Sequence, residues 1–166
     1  MKFLLFKGSI VWALMVLLNL SNPSFAQEYN IRFSHLGIEN GLSQSSVYCI
    51  IQDKKGFMWF GTEAGLNRFD GHKFIPYLFT ADAPNSLSNS WIFSVCIDGS
   101  GVFWIGTEDG LNRYNRDKEQ FISYRHNPSD SNSLSNNRIY SIYEDSLGVL
   151  WIGTEKGLNK WDRMNG

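Results

Sequence analysis

The stretch LSNNRIYSIYEDSLGVLWIGTEKGLNKW, Leu134 to Trp161, decides how the rest of the chain reads, because it occurs three times. Leu42 to Phe69 runs LSQSSVYCIIQDKKGFMWFGTEAGLNRF and Leu87 to Tyr114 runs LSNSWIFSVCIDGSGVFWIGTEDGLNRY, and the three align without a gap. Eleven of the 28 columns hold one residue throughout: Leu, Ser, Asp, Gly, Trp, Gly, Thr, Glu, Gly, Leu and Asn. The tryptophan recurs at 59, 104 and 151, spacings of 45 and 47 residues. A period of about 40 to 50 residues is that of four-stranded propeller blades.

Each copy parses into strands joined by turns. In the first, Val47 to Gln52 reads as strand A, followed by Asp53-Lys54-Lys55-Gly56. There the Asp side chain can hold backbone N–H groups, and the Gly can take a positive φ. Asp98 to Gly101 and Asp145 to Gly148 repeat that turn. Phe57 to Gly61 reads as strand B, Thr62 to Gly65 as a turn, and Leu66 to Phe69 as strand C. Asp70-Gly71 signals a hairpin into strand D at Lys73 to Phe79. The second copy has a longer C to D turn, Asn115 to Glu119, before strand D at Gln120 to Tyr124, and the third reaches the end of the sequence before a strand D. Both parities of strand A carry apolar residues, Val47, Cys49 and Ile51 on one and Tyr48 and Ile50 on the other, so the sheet is expected to be covered on both faces.

The expected fold is therefore all-β: a partial β-propeller of about three four-stranded antiparallel blades behind a cleaved signal peptide. Its expected divisions are a leader at 1–26, an N-terminal outer strand and loop at 27–41, blades at 42–86 and 87–133, and an incomplete blade at 134–166. The segment Asn30 to Leu36 reads as the orphan outer strand, of the sort that completes the last blade of a closed ring. Three blades do not close a ring, so open apolar faces and self-association are expected of the isolated chain.

Composition agrees with a globular β-protein. Hydrophobic residues make up 43% and aromatic residues 15%, in short runs punctuated by Gly, Asn, Asp and Ser. Fifteen basic against sixteen acidic residues give a net charge of -1, which argues against a nucleic-acid surface. Lys2 and Lys7, the apolar run Ile10 to Leu20 and Ser24-Phe25-Ala26 form the n-region, h-region and cleavage site of a secretory leader. That apolar run is well short of the ~20 residues needed to span a bilayer. The mature chain is expected outside the cytoplasm, in the periplasm.

Gly41-Leu42-Ser43, Asp53, Gly56, Trp59-Phe60-Gly61-Thr62 and Gly65-Leu66-Asn67-Arg68 together resemble the two-component regulator propeller repeat, over about Glu28 to Arg163. The resemblance implies the periplasmic sensor half of a hybrid two-component protein, responding to oligosaccharides and followed by an Ig-like domain, a membrane helix and a histidine kinase. No stretch of this chain resembles a kinase, a receiver or a helix-turn-helix, so it reads as the front of a longer protein. A fragment of an exported propeller enzyme acting on glycans, or a remnant without activity, are the alternatives.

Fixed columns are expected to serve the scaffold: Trp59, Trp104 and Trp151 as blade-to-blade packing, Asp53, Asp98 and Asp145 in turns, and Gly61, Gly106 and Gly153 in strand B. Glu63, Glu108 and Glu155 read as turn residues for the same reason, since a catalytic acid–base pair needs two carboxylates in different environments. Function is expected where the copies differ at the channel mouth, formed by Glu39 to Ser46, Thr80 to Trp91 and Asn127 to Arg138 with the B to C turns. The column entering strand A holds Ser46, Trp91 and Arg138, and a Trp with an Arg suits stacking on, and hydrogen bonding to, a sugar. No catalytic set, metal site or cofactor motif is indicated; His35, His72 and His126 lack ligand spacing. The Asp-x-x-Gly-x-x-Trp string resembles the structural Asp box of propeller glycosidases, with one extra residue before Gly. Cys49 and Cys96 are expected as buried free thiols.

Overall fold

A computed structural model describes residues Asn30 to Trp161 and Arg163. The expected leader at 1–26 lies outside the described residues. Eleven strands follow a single 3-10 turn at Ile38–Asn40: β1 (Val47–Gln52), β2 (Met58–Thr62), β3 (Gly65–Phe69), β4 (Phe74–Tyr77), β5 (Ile92–Ile97), β6 (Phe103–Thr107), β7 (Gly110–Asn115), β8 (Gln120–Tyr124), β9 (Ile139–Glu144), β10 (Leu150–Thr154) and β11 (Gly157–Trp161). They form three antiparallel meanders, β1-β2-β3-β4, β5-β6-β7-β8 and β9-β10-β11, here called blades 1, 2 and 3. The expected blades are thus present, with two complete and the third three-stranded.

The segment Asn30 to Leu36, expected to complete the last blade of a closed ring, has no such ring to join among the described residues. It enters no sheet, and Ile31 and Phe33 are exposed. Its alternation of apolar and polar residues suits a strand, but a strand forms only where a partner edge satisfies its backbone, and none of the described ladders includes it.

The turn chemistry explains why the strands begin and end where they do. Asp53 Oδ1 accepts hydrogen bonds from the N–H groups of Lys55 (2.8 Å) and Phe57 (3.1 Å), and Gly56 closes the turn at φ +89°. Asp98 and Asp145 likewise hold the N–H groups of Val102 and Val149. The other oxygen does a second job that the sequence pattern did not reveal. Asp53 Oδ2 accepts from the Trp59 indole at 2.9 Å, Asp98 Oδ2 from Trp104 at 2.7 Å and Asp145 Oδ2 from Trp151 at 2.9 Å. A buried indole N–H is thereby satisfied while the ring packs.

A second repeated network ties each blade's lead-in loop to its own middle strands. Ser43 Oγ lies 2.9 Å from Thr62 Oγ1, and Asn67 accepts from the Ser43 N–H while donating to Ser43 Oγ. Ser88, Thr107 and Asn112, and then Ser135, Thr154 and Asn159, repeat the arrangement. Each blade thus has the same three contacts, which satisfy polar groups that would otherwise be orphaned, and this is why Ser, Thr and Asn persist in every copy.

Blades pack face to face in chain order. Trp59 and Leu66 of blade 1 meet Phe103, Ile105, Tyr114 and Phe121 of blade 2, with Ile92 at the inner edge. Trp104 and Leu111 of blade 2 meet Leu150 and Ile152 of blade 3, with Ile139 in the equivalent place. The fixed glycine of strand B is needed for this approach: a Cβ on Gly61 would stand 2.7 Å from Ile92 Cγ2, and one on Gly106 2.7 Å from Ile139 Cγ2. Trp59 reaches Phe103 of the next blade at 4.9 Å between ring centres and Trp104 reaches Trp161 at 5.1 Å, whereas Trp151 has Lys160 of its own blade over its ring.

Candidate functional site

The inner strands β1, β5 and β9 lie side by side, one from each blade. Each pairs with its second strand through a break in register, between Val47 and Cys49, between Ile92 and Ser94, and between Ile139 and Ser141 opposite Gly153 and Thr154. A bulge leaves one residue out of the ladder and re-aims its side chain. The residues so released are Tyr48, Phe93 and Tyr140, one aromatic per blade. Their rings form a run, Tyr48 to Phe93 at 6.0 Å and Phe93 to Tyr140 at 5.4 Å. Trp91 fills in beside them, 5.5 Å from Phe93 and 6.3 Å from Tyr48. Tyr48 is 45% exposed, Tyr140 47% and Trp91 39%, so the run is open to solvent.

Loops and turns expected at the mouth do gather beside this run. The Gly65 N–H of blade 1 donates to Ser90 O of the loop leading into blade 2, at 2.7 Å, and the Gly110 N–H donates to Asn137 O in the same way. The invariant glutamates of those turns are engaged with the strand-A residues. Tyr48 Oη donates to Glu63 Oε1, and that bond raises the tyrosine pKa above its ordinary value. Arg138 Nε donates to Glu108 Oε1 at 2.9 Å and its Nη1 to Glu155 Oε1 at 2.8 Å, so one guanidinium joins blade 2 to blade 3. The Glu108 hydrogen bond, followed by that to Tyr140, raises the Arg138 pKa above its ordinary value. An arginine held in this way presents a fixed charge and a planar edge.

Among the three candidate positions, Trp91 and Arg138 thus flank the aromatic run, while Ser46 contributes no ring or charge. The Ser46 N–H is bonded to the Gln44 side chain, and Gln44 in turn reaches Glu63. Sequence reasoning missed Tyr48, Phe93 and Tyr140. Their column is aromatic in all copies without being identical, so it fell between the fixed columns assigned to scaffold and the changing ones assigned to recognition. Glu63, Glu108 and Glu155 do more than shape a turn, since they anchor the mouth.

The thiols of β1 and β5 pack against the two inter-blade cores. Cys49 and Cys96 are unpaired and partly buried, and burial pushes the Cys49 pKa up to about 11. Such a thiol is an unreactive one.

Antiparallel meanders, two of four strands and one of three, packed face to face in chain order with their first strands side by side, define a section of β-propeller. Comparison with known proteins refines the class. The two component regulator propeller model matches residues 41–64, 86–109 and 133–156. The extracellular domain of a hybrid two component system of B. thetaiotaomicron superposes with a TM-score of 0.74 and 38% identity, over 80% of this chain and 19% of that one. Histidine kinase P4 of Formosa agariphila is 54% identical over 52 residues, 31% of this chain and 4% of the kinase. The three blades are two component regulator propeller repeats, and the chain spans a small part of the proteins it resembles.

Proposed function

We propose that this chain is the ligand-sensing propeller section of an exported two-component protein, with an oligosaccharide as its ligand and a histidine kinase elsewhere in the same protein as the recipient of the signal. The observation that carries the reading is the solvent-open run of Tyr48, Phe93, Tyr140 and Trp91, released by one bulge per blade and edged by Arg138. Pyranose rings present C–H faces that pack on aromatic rings and hydroxyls that bond to fixed charged groups, and recognition sites combine those two features. Placement outside the cytoplasm is supported by the leader-like N-terminus and by the extracellular origin of the structural neighbour.

Binding without turnover is part of the proposal. Glu108 and Glu155 occupy the same turn column of successive blades and bond to the same guanidinium, whereas a catalytic acid–base pair needs two carboxylates in different environments. Calorimetric titration of the purified chain with neutral and acidic oligosaccharides tests the reading. Saturable binding with no new product on chromatography is expected, weakened about tenfold or more, or about 1.4 kcal/mol, by Trp91→Ala and by Tyr140→Ala. Equal affinity in the variants, or cleavage of the sugar, sinks it.

A further inference from the structure

At both closed junctions, an arginine crosses from the following blade to the turn aspartate of the preceding one. Arg116, in the β7 to β8 turn, donates from Nη2 to Asp53 Oδ2 at 3.0 Å. Arg163 donates to Asp98 Oδ2 and, at 2.8 Å, to Ser100 Oγ. Both arginines stand two residues after the aromatic that ends the repeated motif, Tyr114 or Trp161. The carboxylates they reach are almost fully buried, so the cation answers a charge that would otherwise be costly.

Asp145 holds the same bonds to its own turn and to Trp151, and no arginine reaches it among the described residues. The face around it is open. Leu158 is 65% exposed, whereas its counterparts Leu66 and Leu111 are 0% and 4%. A Cβ on Gly153 would meet only atoms of its own blade's Ser141, where Gly61 and Gly106 meet an isoleucine of the next blade. Blade 3 therefore repeats the acceptor half of a junction, without the arginine donor that completes the other two.

We propose that this face docks a further propeller blade carrying an arginine two residues after its third-strand aromatic, with Asp145 as the group that selects it. A second copy of this chain is the obvious competitor, since blade 1 offers an open apolar face with Ile50, Phe60 and Phe74. Blade 1 has Gly71 in the arginine column, however. Head-to-tail pairing of two copies would bury apolar surface and leave Asp145 without its cation. The charge thus favours an arginine-bearing blade over the chain's own first blade, and this inference is independent of what the mouth binds.

The test extends the full chain after Arg163 with a second copy of residues 117–163, which keeps the 47-residue register and supplies a fourth strand and a further blade ending in arginine. A Leu158→Cys probe reports cover of the face through its rate of maleimide labelling. The expected result is labelling about tenfold slower or more in the extended chain, about 1.4 kcal/mol of opening free energy. The rate should return toward that of the unextended chain when the added blade carries Gly in place of its arginine. Equal rates for the arginine and glycine versions overturn the proposal. Independently of whether the extension folds, the unextended Leu158→Cys chain should label at the same rate at low and high protein concentration. Protection that grows with concentration would show that a second copy fits the face, and overturns the selectivity.

Discussion

Blade 2 and blade 3 are built from the same columns, yet one is covered on both faces and the other on one. In blade 2, Phe103 and Ile105 face blade 1 while Trp104 and Leu111 face blade 3, and all four are buried. In blade 3, Leu150 and Ile152 are buried against blade 2, but Leu158, Tyr143 and Lys160 look outward. Local structure does not change between them. Trp151 keeps its bond to Asp145, and β10 and β11 keep the register of β6 and β7. Turn chemistry and strand pairing therefore form each blade on its own, and packing against a neighbour supplies a separate, removable share of the stability.

Truncating the same tryptophan in each blade should separate those two shares most clearly. Trp104→Ala empties a buried site between blades and is expected to cost about 3–5 kcal/mol. Trp151→Ala, at a half-buried position with Lys160 over the ring, should cost well under that. Urea midpoints at constant m-value measure both. Equal losses would mean that the indole acts chiefly through its aspartate bond, which both residues share.

Filling the strand-B glycine is the next largest contrast. A methyl at Gly106 runs into Ile139 of the next blade, so Gly106→Ala should lose about 1–3 kcal/mol to overpacking. At Gly153 the nearest obstacle is the Ser141 hydroxyl, which can rotate away, so the same change should cost less. A reversal of that order in urea titrations would show that the glycine is kept for backbone reasons within its own blade.

Acid sensitivity should follow the junction arginines. Burial opposes ionisation of Asp53, but the Trp59 indole, the Lys55 and Phe57 N–H groups and Arg116 together hold its pKa below the ordinary carboxylate value. For Asp98, burial is likewise outweighed by Ser100, Trp104, the Val102 N–H and Arg163. A depressed folded pKa contributes stability that is present above the unfolded value, near 3.9, and is lost as pH falls below it toward the folded value. Arg116→Ala removes one cause of the shift at Asp53, so it should lower stability at neutral pH by about 1–3 kcal/mol and flatten the acid limb. Urea midpoints measured from neutral pH down to pH 3 check this. An unchanged slope would mean that the indole and backbone bonds alone set the pKa.

Most of the scaffold was legible because the repeat prints its own constraints. Asp and Gly stand where the turns need them, and the Ser, Thr and Asn columns stood out as invariant, although the buried network they form emerged only from the structure. The rest was hidden for identifiable reasons. Arg116 and Arg163 lie two residues past the aligned columns, and the first copy has Gly71 there, so no three-way pattern could flag a contact that only following blades make. The bulge at Tyr48, Phe93 and Tyr140 breaks the period of two on which strand reading rests, and it turned three expected sheet residues into the wall of the mouth. The segment 30–36 carried a strand-like pattern, but a pattern does not name its partner, and none of the described ladders includes it.

The smallest expected effect bears most directly on the open face. Leu111→Ala removes a buried side chain packed between blades 2 and 3 and should cost about 2–5 kcal/mol. Leu158→Ala changes the same column of blade 3, where the side chain stands in water and truncation leaves no cavity behind, so its cost should stay within about 0.5 kcal/mol. The comparison has to be made at several protein concentrations, because a face covered by another copy would make Leu158 buried only in the assembled state. A loss at Leu158 that approaches that at Leu111, and grows with concentration, would show that the two blades differ less in solution than their exposures imply. A small loss at every concentration would fix the difference as one of missing neighbour alone.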